Sequence, residues 1–114
     1  MPDRLLTRHD THEGPRVLLL DATGTPINLT GCTVRYSLRH LRTRVLKITR
    51  AATTLADQAI SPGEVSYTLQ AADVDTSGTY QEEWEVTYSG GTKETFPRGG
   101  EAQVVRILDD LDNV

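Results

Sequence analysis

The stretch Gly78–Pro97 constrains this chain more than any other. It reads Gly-Thr-Tyr-Gln-Glu-Glu-Trp-Glu-Val-Thr-Tyr, then Ser-Gly-Gly-Thr, then Lys-Glu-Thr-Phe-Pro. It holds the only Trp, the only Phe and two of the four Tyr in 114 residues. In an extended segment alternate side chains point to opposite faces. Tyr80, Trp84, Val86 and Tyr88 therefore share one face with Glu82, while Gln81, Glu83, Glu85 and Thr87 share the other. Ser89-Gly90-Gly91-Thr92 supplies the positive-φ positions of a two-residue hairpin turn, and Lys93–Phe96 is the return strand, stopped by Pro97. The aromatic face is core, so the rest of the chain must be built to cover it. Glu82 stands out of pattern on that face and marks a sandwich rim or an assembly contact.

The remaining segments have the same character. A short edge strand is expected around Asp3–Arg8. His9–Pro15 has loop composition and closes on Gly14-Pro15. Arg16–Asp21 carries a continuous apolar run, which predicts a strand buried on both faces or placed centrally. Gly24 and Pro26 mark a turn, and Ile27 and Leu29 plug the end of the core. Thr33–Arg39 alternates, with Val34, Tyr36 and Leu38 inward and Arg35, Ser37 and Arg39 outward. Leu41–Arg44 is a polar turn and Val45–Ala52 the next strand, rich in β-branched residues. A connector over Thr53–Ser61 ends in the turn Ser61-Pro62-Gly63. Glu64–Leu69 alternates with Val65, Tyr67 and Leu69 inward, and Gln70–Asp75 has room for one helical turn. Gly99-Gly100 is a bend, Ala102–Leu108 a last strand, and residues 109–114 an acidic tail. Seven or eight short strands at intervals of roughly ten residues predict a single all-β domain over residues 1–108, an antiparallel sandwich or barrel.

Charge is segregated along the chain. Net charge is −4, which argues against a general nucleic-acid binder. From Ala22 to Ala56 there is no acid, and the segment carries Arg35, Arg39, Arg42, Arg44, Lys47 and Arg50; from Asp57 onward lie 12 of the 16 acids. The basic middle and the acidic second half pair either within the domain or between copies. Candidate assembly contacts are Arg35, Arg39, Arg42, Arg44, Glu82, Glu83 and Glu85, and Ser89–Thr92 (Ser89, Gly90, Gly91, Thr92) is a candidate exposed turn. The apolar runs are too short for a membrane span, which needs about 20 residues, and no apolar region follows Met-Pro-Asp-Arg to make a signal peptide. A single Cys32 cannot form a disulfide within the chain and fits synthesis in a reducing compartment.

Motifs for chemistry are missing. His9 and His12 flank Asp10 and precede Glu13, but zinc needs three or four convergent ligands, and a solvated polar loop is the better reading. His40 reads as a surface residue and Cys32 as a small, buried, inert thiol. Glu83 and Glu85 share a face as solvated acids rather than a catalytic dyad. Asp73 and Asp75 lack the further ligands and the glycine of a calcium loop. There is no phosphate-cradling glycine loop followed by a helix and no nucleophile elbow. These readings exclude no partner protein but give no support to an enzyme, a metal, a cofactor or a small-molecule substrate.

Several segments in order carry a resemblance: Arg8–Thr11; Gly24–Pro26; Ile-Asn-Leu-Thr-Gly-Cys-Thr-Val-Arg-Tyr-Ser-Leu-Arg at 27–39; Gly-Glu-Val-Ser-Tyr-Thr-Leu at 63–69; and the two halves of Gly78–Pro97. Together, over about residues 5 to 108, they resemble the N-terminal domain of phage baseplate upper proteins and related small tailed-phage virion proteins. The resemblance implies an Ig-like β-sandwich that serves as an oligomeric virion component at tail, baseplate or neck. Its partners would be other virion proteins and copies of itself, and it would be made in the host cytoplasm. In that family the domain usually anchors a longer fibre-like or receptor-binding protein. With the chain ending at Val114, the expectation is an adaptor or decoration part. Capsid decoration, or a module whose loops Leu41–Arg44 and Ser89–Thr92 hold a host glycan or protein, is the alternative.

Overall fold

The computed structural model describes residues 4–12, 14–97 and 103–109. They form two packed sheets. In chain order the strands are β1 (Arg4–Thr7), β2 (Arg16–Leu18), β3 (Thr33–His40), β4 (Leu46–Ala52), β5 (Thr54–Leu55), β6 (Glu64–Ser66), β7 (Gly78–Thr87), β8 (Lys93–Phe96) and β9 (Gln103–Leu108), with one 3-10 turn at Ala71–Val74. The large sheet runs β1-β9-β7-β3-β4, and β8 also pairs with β7; the small sheet runs β2-β6-β5. Thus β2-β6-β5 and β3-β7-β9 stand where strands B-E-D and C-F-G stand in the immunoglobulin sandwich. A further mark of that fold is present without any disulfide. Tyr80, near the start of β7, donates its hydroxyl to the Thr76 carbonyl at 2.9 Å, four residues upstream, as a tyrosine corner does.

The sandwich differs from the expected one in four places. First, β1 pairs with β9 in parallel, Arg4 opposite Val105 through Thr7 opposite Leu108, so that edge is not antiparallel. Second, β8 and β9 share one side of β7: Trp84–Thr87 pair with β8 and Gly78–Glu82 with β9. Third, the apolar run after Arg16 is not buried on both faces. It lies on β2, an edge of the small sheet, and among the described residues no third layer covers its outer side; Leu19 is buried while Leu18 is 52% exposed. Fourth, the β7–β8 connection is longer than a two-residue turn: five residues, Tyr88 to Thr92, separate the strands. Tyr88 N–H donates to Thr92 O and Gly91 N–H to Tyr88 O, both at 2.8 Å, and only Gly91 takes the positive φ, +92°. Gly99, Gly100, Ala102 and residues 110–114 lie outside the described residues, as does Asp3.

The core sits between the sheets. Val34, Tyr36 and Leu38 of β3 face inward as expected, and so do Tyr80, Trp84 and Val86 of β7. Tyr36 meets Trp84 edge-on at 4.6 Å and stacks on Tyr67 at 4.8 Å, which ties the large sheet to the segment after β6. Burying each such ring contributes on the order of 2–3 kcal/mol, with roughly 1 kcal/mol more for each ring pair. Leu29 is fully buried and Ile27 packs against the core, so the plug forms. Gly14 is fixed by close approach: a Cβ there would lie 1.8 Å from the Tyr67 carbonyl oxygen, and the next residue, Pro15, accepts from Tyr67 N–H. Tyr88 and Cys32 are half-buried rather than fully enclosed.

Candidate functional site

The three glutamates of β7 separate into two environments. Glu82 points into the core and is 1% exposed, which removes it from the candidate assembly contacts. Its carboxylate is saturated by four donors. Oε1 accepts from Arg4 Nε at 2.9 Å and from the Tyr36 hydroxyl at 3.0 Å; Oε2 accepts from Arg4 Nη2 at 3.0 Å and from Trp84 Nε1 at 2.8 Å. A buried charge is tolerated only when paired and hydrogen-bonded, and this one is both. Arg4 Nη2 also donates to the Arg16 carbonyl at 3.1 Å. One carboxylate therefore clasps β1, β3 and β7, and its arginine reaches β2 in the other sheet. The Tyr36 phenol sits well above the ordinary tyrosine range, first because burial disfavours the phenolate and then because Glu82 faces it.

Glu83 and Glu85 point the other way, onto the solvent side of the large sheet. The register sets them beside β3: Arg35 lies opposite Glu85, Ser37 opposite Glu83 and Arg39 opposite Gln81. An arginine-bearing row on β3 and a glutamate-bearing row on β7 thus run side by side. Between them is a shallow depression of about 140 Å³ lined by Ser37, Arg39, Leu46, Thr49, Arg50, Gln81, Glu83 and Glu85. Arg50 reaches it through an irregularity in β4. Tyr36 pairs with Ala51 and Leu38 with Ile48, so Thr49 and Arg50 together oppose Ser37. Arg50 takes φ +45° and its N–H donates to Ser37 Oγ at 3.0 Å. Such a bulge bends the strand and re-aims a side chain, and a non-glycine residue at positive φ costs about 1–2 kcal/mol.

None of Arg35, Arg39, Arg50, Glu83 and Glu85 takes part in an ion pair among the described residues. Among the described residues, Lys47 is the only member of the basic middle segment in an ion pair. It bonds Asp75, which lies below its ordinary range mainly through that bond. Wholesale neutralisation of the basic segment within the domain is therefore not what the side chains do.

The other sequence candidates are dispersed. Arg42 and Arg44 lie in the β3–β4 loop, which closes at the Gly78 end of β7, away from the Arg35–Glu85 rows. Ser89–Thr92 lies beyond the Thr87 end. Since β3 and β7 pair over eight residues at about 3.3 Å each, the two loops are roughly 25 Å apart and do not form one binding site. His40 is not a plain surface residue. Its Nδ1 accepts the N–H groups of Arg42 and Thr43, both at 3.2 Å, and its ring meets Tyr80 edge-on at 5.0 Å. Among the described residues no group of three or more His, Cys, Asp or Glu converges as metal ligands. The sequence signal that pointed to Glu82 was its place on an aromatic face; its partner Arg4, 78 positions away, carried none.

No model of a known protein family matches the chain, and no curated protein matches it. The class defined by fold and surface is an immunoglobulin-type β-sandwich with a charge-striped outer sheet.

Proposed function

We propose that this chain is a bacteriophage virion structural protein of the tail, baseplate or neck that works as an assembly module through protein–protein contacts. The observation that carries the reading is the outer face of the large sheet. It is broad and open, and Arg35, Arg39, Arg50, Glu83 and Glu85 at its centre take part in no ion pair among the described residues. A rigid sandwich behind such a face, locked by the Glu82 clasp, offers a docking surface rather than a reacting centre. The ordered resemblance to small tailed-phage virion proteins supplies the setting. Charged rows fix register and choice of partner more than raw affinity, which suits a part that must enter a particle in one orientation.

The test is incorporation. A tagged chain made during infection, with particles then separated on a density gradient, is expected in the particle or tail fractions at fixed stoichiometry. A chain that stays entirely with the soluble proteins at the top of the gradient overturns the reading.

A further inference from the structure

We infer that the outer face of the large sheet is a two-fold interface between two copies of this chain. The inference rests on the reading of the chain as an assembly module and names the partner of that face. Two neighbouring rows of opposite sign make a surface complementary to itself under one operation only. A two-fold axis lying along the strands, between β3 and β7, exchanges the rows. The arginines of β3 then lie over β7 of the second copy, with Arg35 level with Glu85. An axis across the strands would stack arginine on arginine. A closed two-fold contact is the commonest arrangement of soluble oligomers and requires this self-complementarity.

The flanks agree with the centre. Arg39 pairs with Leu46 of β4 on one side and with Gln81 of β7 on the other, and Gln81 pairs with Val104 of β9. Leu46, Arg39, Gln81 and Val104 therefore lie at one level across four strands. The same axis that exchanges the charged rows places Leu46 of each copy over Val104 of the other. Leu46 is 41% exposed in the single chain. The strained Arg50 adds a third cation beside Arg39 at the rim. Five strands at about 4.8 Å spacing and eight residues at about 3.3 Å cover roughly 600 Å² in projection. That approaches the about 800 Å² of accessible surface that each partner buries in an interface of standard size.

Cysteine pairing tests the geometry directly. Within one chain Leu46 and Val104 are three strand spacings apart, about 14 Å, too far for a disulfide. In the proposed dimer they face each other. A Cys32→Ser chain carrying Leu46→Cys and Val104→Cys is expected to oxidise to a covalent dimer, while each single cysteine variant gives far less. A protein that remains monomeric by mass under oxidising conditions overturns the interface. Charge exchange tests it without cysteines. Arg35→Glu/Arg39→Glu and Glu83→Arg/Glu85→Arg are each expected to weaken self-association by about a hundredfold, because like charges then meet. Mixed together they are expected to form a heterodimer. Two variants that remain folded by circular dichroism yet fail to associate when mixed, or a parent chain that is monomeric up to millimolar concentration, refute the proposal. A dimer in solution that never enters particles would overturn the virion reading and leave the interface standing; a monomer that does enter particles would do the reverse.

Discussion

Glu82 and its neighbours Glu83 and Glu85 are the same residue within four positions of one strand, yet they answer to different physics. Glu82 is enclosed and holds four hydrogen bonds; the other two look outward and hold no ion pair among the described residues. The strand's period of two decides which is which. An inward carboxylate must be satisfied by the fold itself, so the fold becomes dependent on it. An outward carboxylate costs the monomer nothing and is free to serve contacts that the monomer does not make. The difference shows where stability and assembly are kept apart in this molecule.

The largest effect is expected at the clasp. Glu82→Ala leaves the Arg4 guanidinium, the Tyr36 hydroxyl and the Trp84 indole N–H without their acceptor, and Arg4→Met leaves a carboxylate buried without its cation. Removing one partner of a buried pair costs about 3–5 kcal/mol, a large part of the stability of a domain this size. Urea unfolding followed by Trp84 fluorescence should show midpoints displaced to much lower urea for both. Loss below about 1 kcal/mol in either would show that the clasp is not what secures β1 and would remove the inner half of the comparison. The double variant Arg4→Met/Glu82→Leu is expected to lose less than the two singles combined, since it removes both charges together.

The phenols of the inner side make the next test. Tyr36, Tyr67 and Tyr80 are all held above their ordinary value of 10.0, in each case first by burial; Asp73, hydrogen-bonded at 2.7 Å, adds to it for Tyr67. Below pH 10 all three carry their protons whether the chain is folded or not, so their contribution is constant. Above it the unfolded chain gives up phenolic protons that the folded chain keeps, and stability falls as pH rises. Denaturant midpoints should therefore drop steadily from about pH 10 upward, with the phenolate absorbance of these three rings appearing only as the chain unfolds. Phenolate absorbance of all four tyrosines appearing near pH 10 with the fold intact would mean that these rings are open to water.

Arg50 connects the two sides. Glycine takes φ +45° without the steric penalty that arginine meets, so Arg50→Gly is expected to stabilise the monomer by about 1 kcal/mol in thermal or urea unfolding. The same change removes a cation from the rim of the charged face and is expected to weaken self-association. A stability gain joined to an assembly loss is the signature of strain kept for function rather than for folding. A variant that is destabilised would show that the arginine side chain itself anchors the bulge.

How far these features could be read from the sequence depends on how local their causes are. The inward set of β3 and β7, the turn at Gly24, the plug at Ile27 and Leu29 and the single helical turn after Gln70 all follow from alternation or from turn residues within a few positions, and the structure has them. The parallel pairing of β1 with β9 and the sharing of one β7 edge by β8 and β9 are long-range choices that no local pattern encodes. The run after Arg16 is less buried than its apolarity suggests, because apolarity does not say whether a second layer exists to cover it. Glu82 was legible as an exception but not as a core residue. Its meaning depends on Arg4 at the far end of the chain, and a charged pair separated by 78 residues leaves no periodic trace. The bulge at Arg50 was hidden for a similar reason: only the pairing with β3 shows that two residues face one.

The smallest expected effect is the control for all the others. Glu83→Ala and Glu85→Ala, singly and together, are expected to leave monomer stability within about 0.5 kcal/mol, the usual range for surface changes that remove no packing. Two opposing interactions keep the sum near zero. The two carboxylates are about 7 Å apart on one face and repel weakly, while Arg35 stands directly across from Glu85 and attracts it weakly through solvent. Both are screened by salt, so adding salt should flatten even the residual difference. Urea unfolding at low protein concentration, where any dimer has dissociated, isolates this monomer quantity. A loss above about 1 kcal/mol there would mean that the outer acids hold the sheet together after all, and the division between an inner glutamate for folding and outer ones for contact would fail at its simpler end.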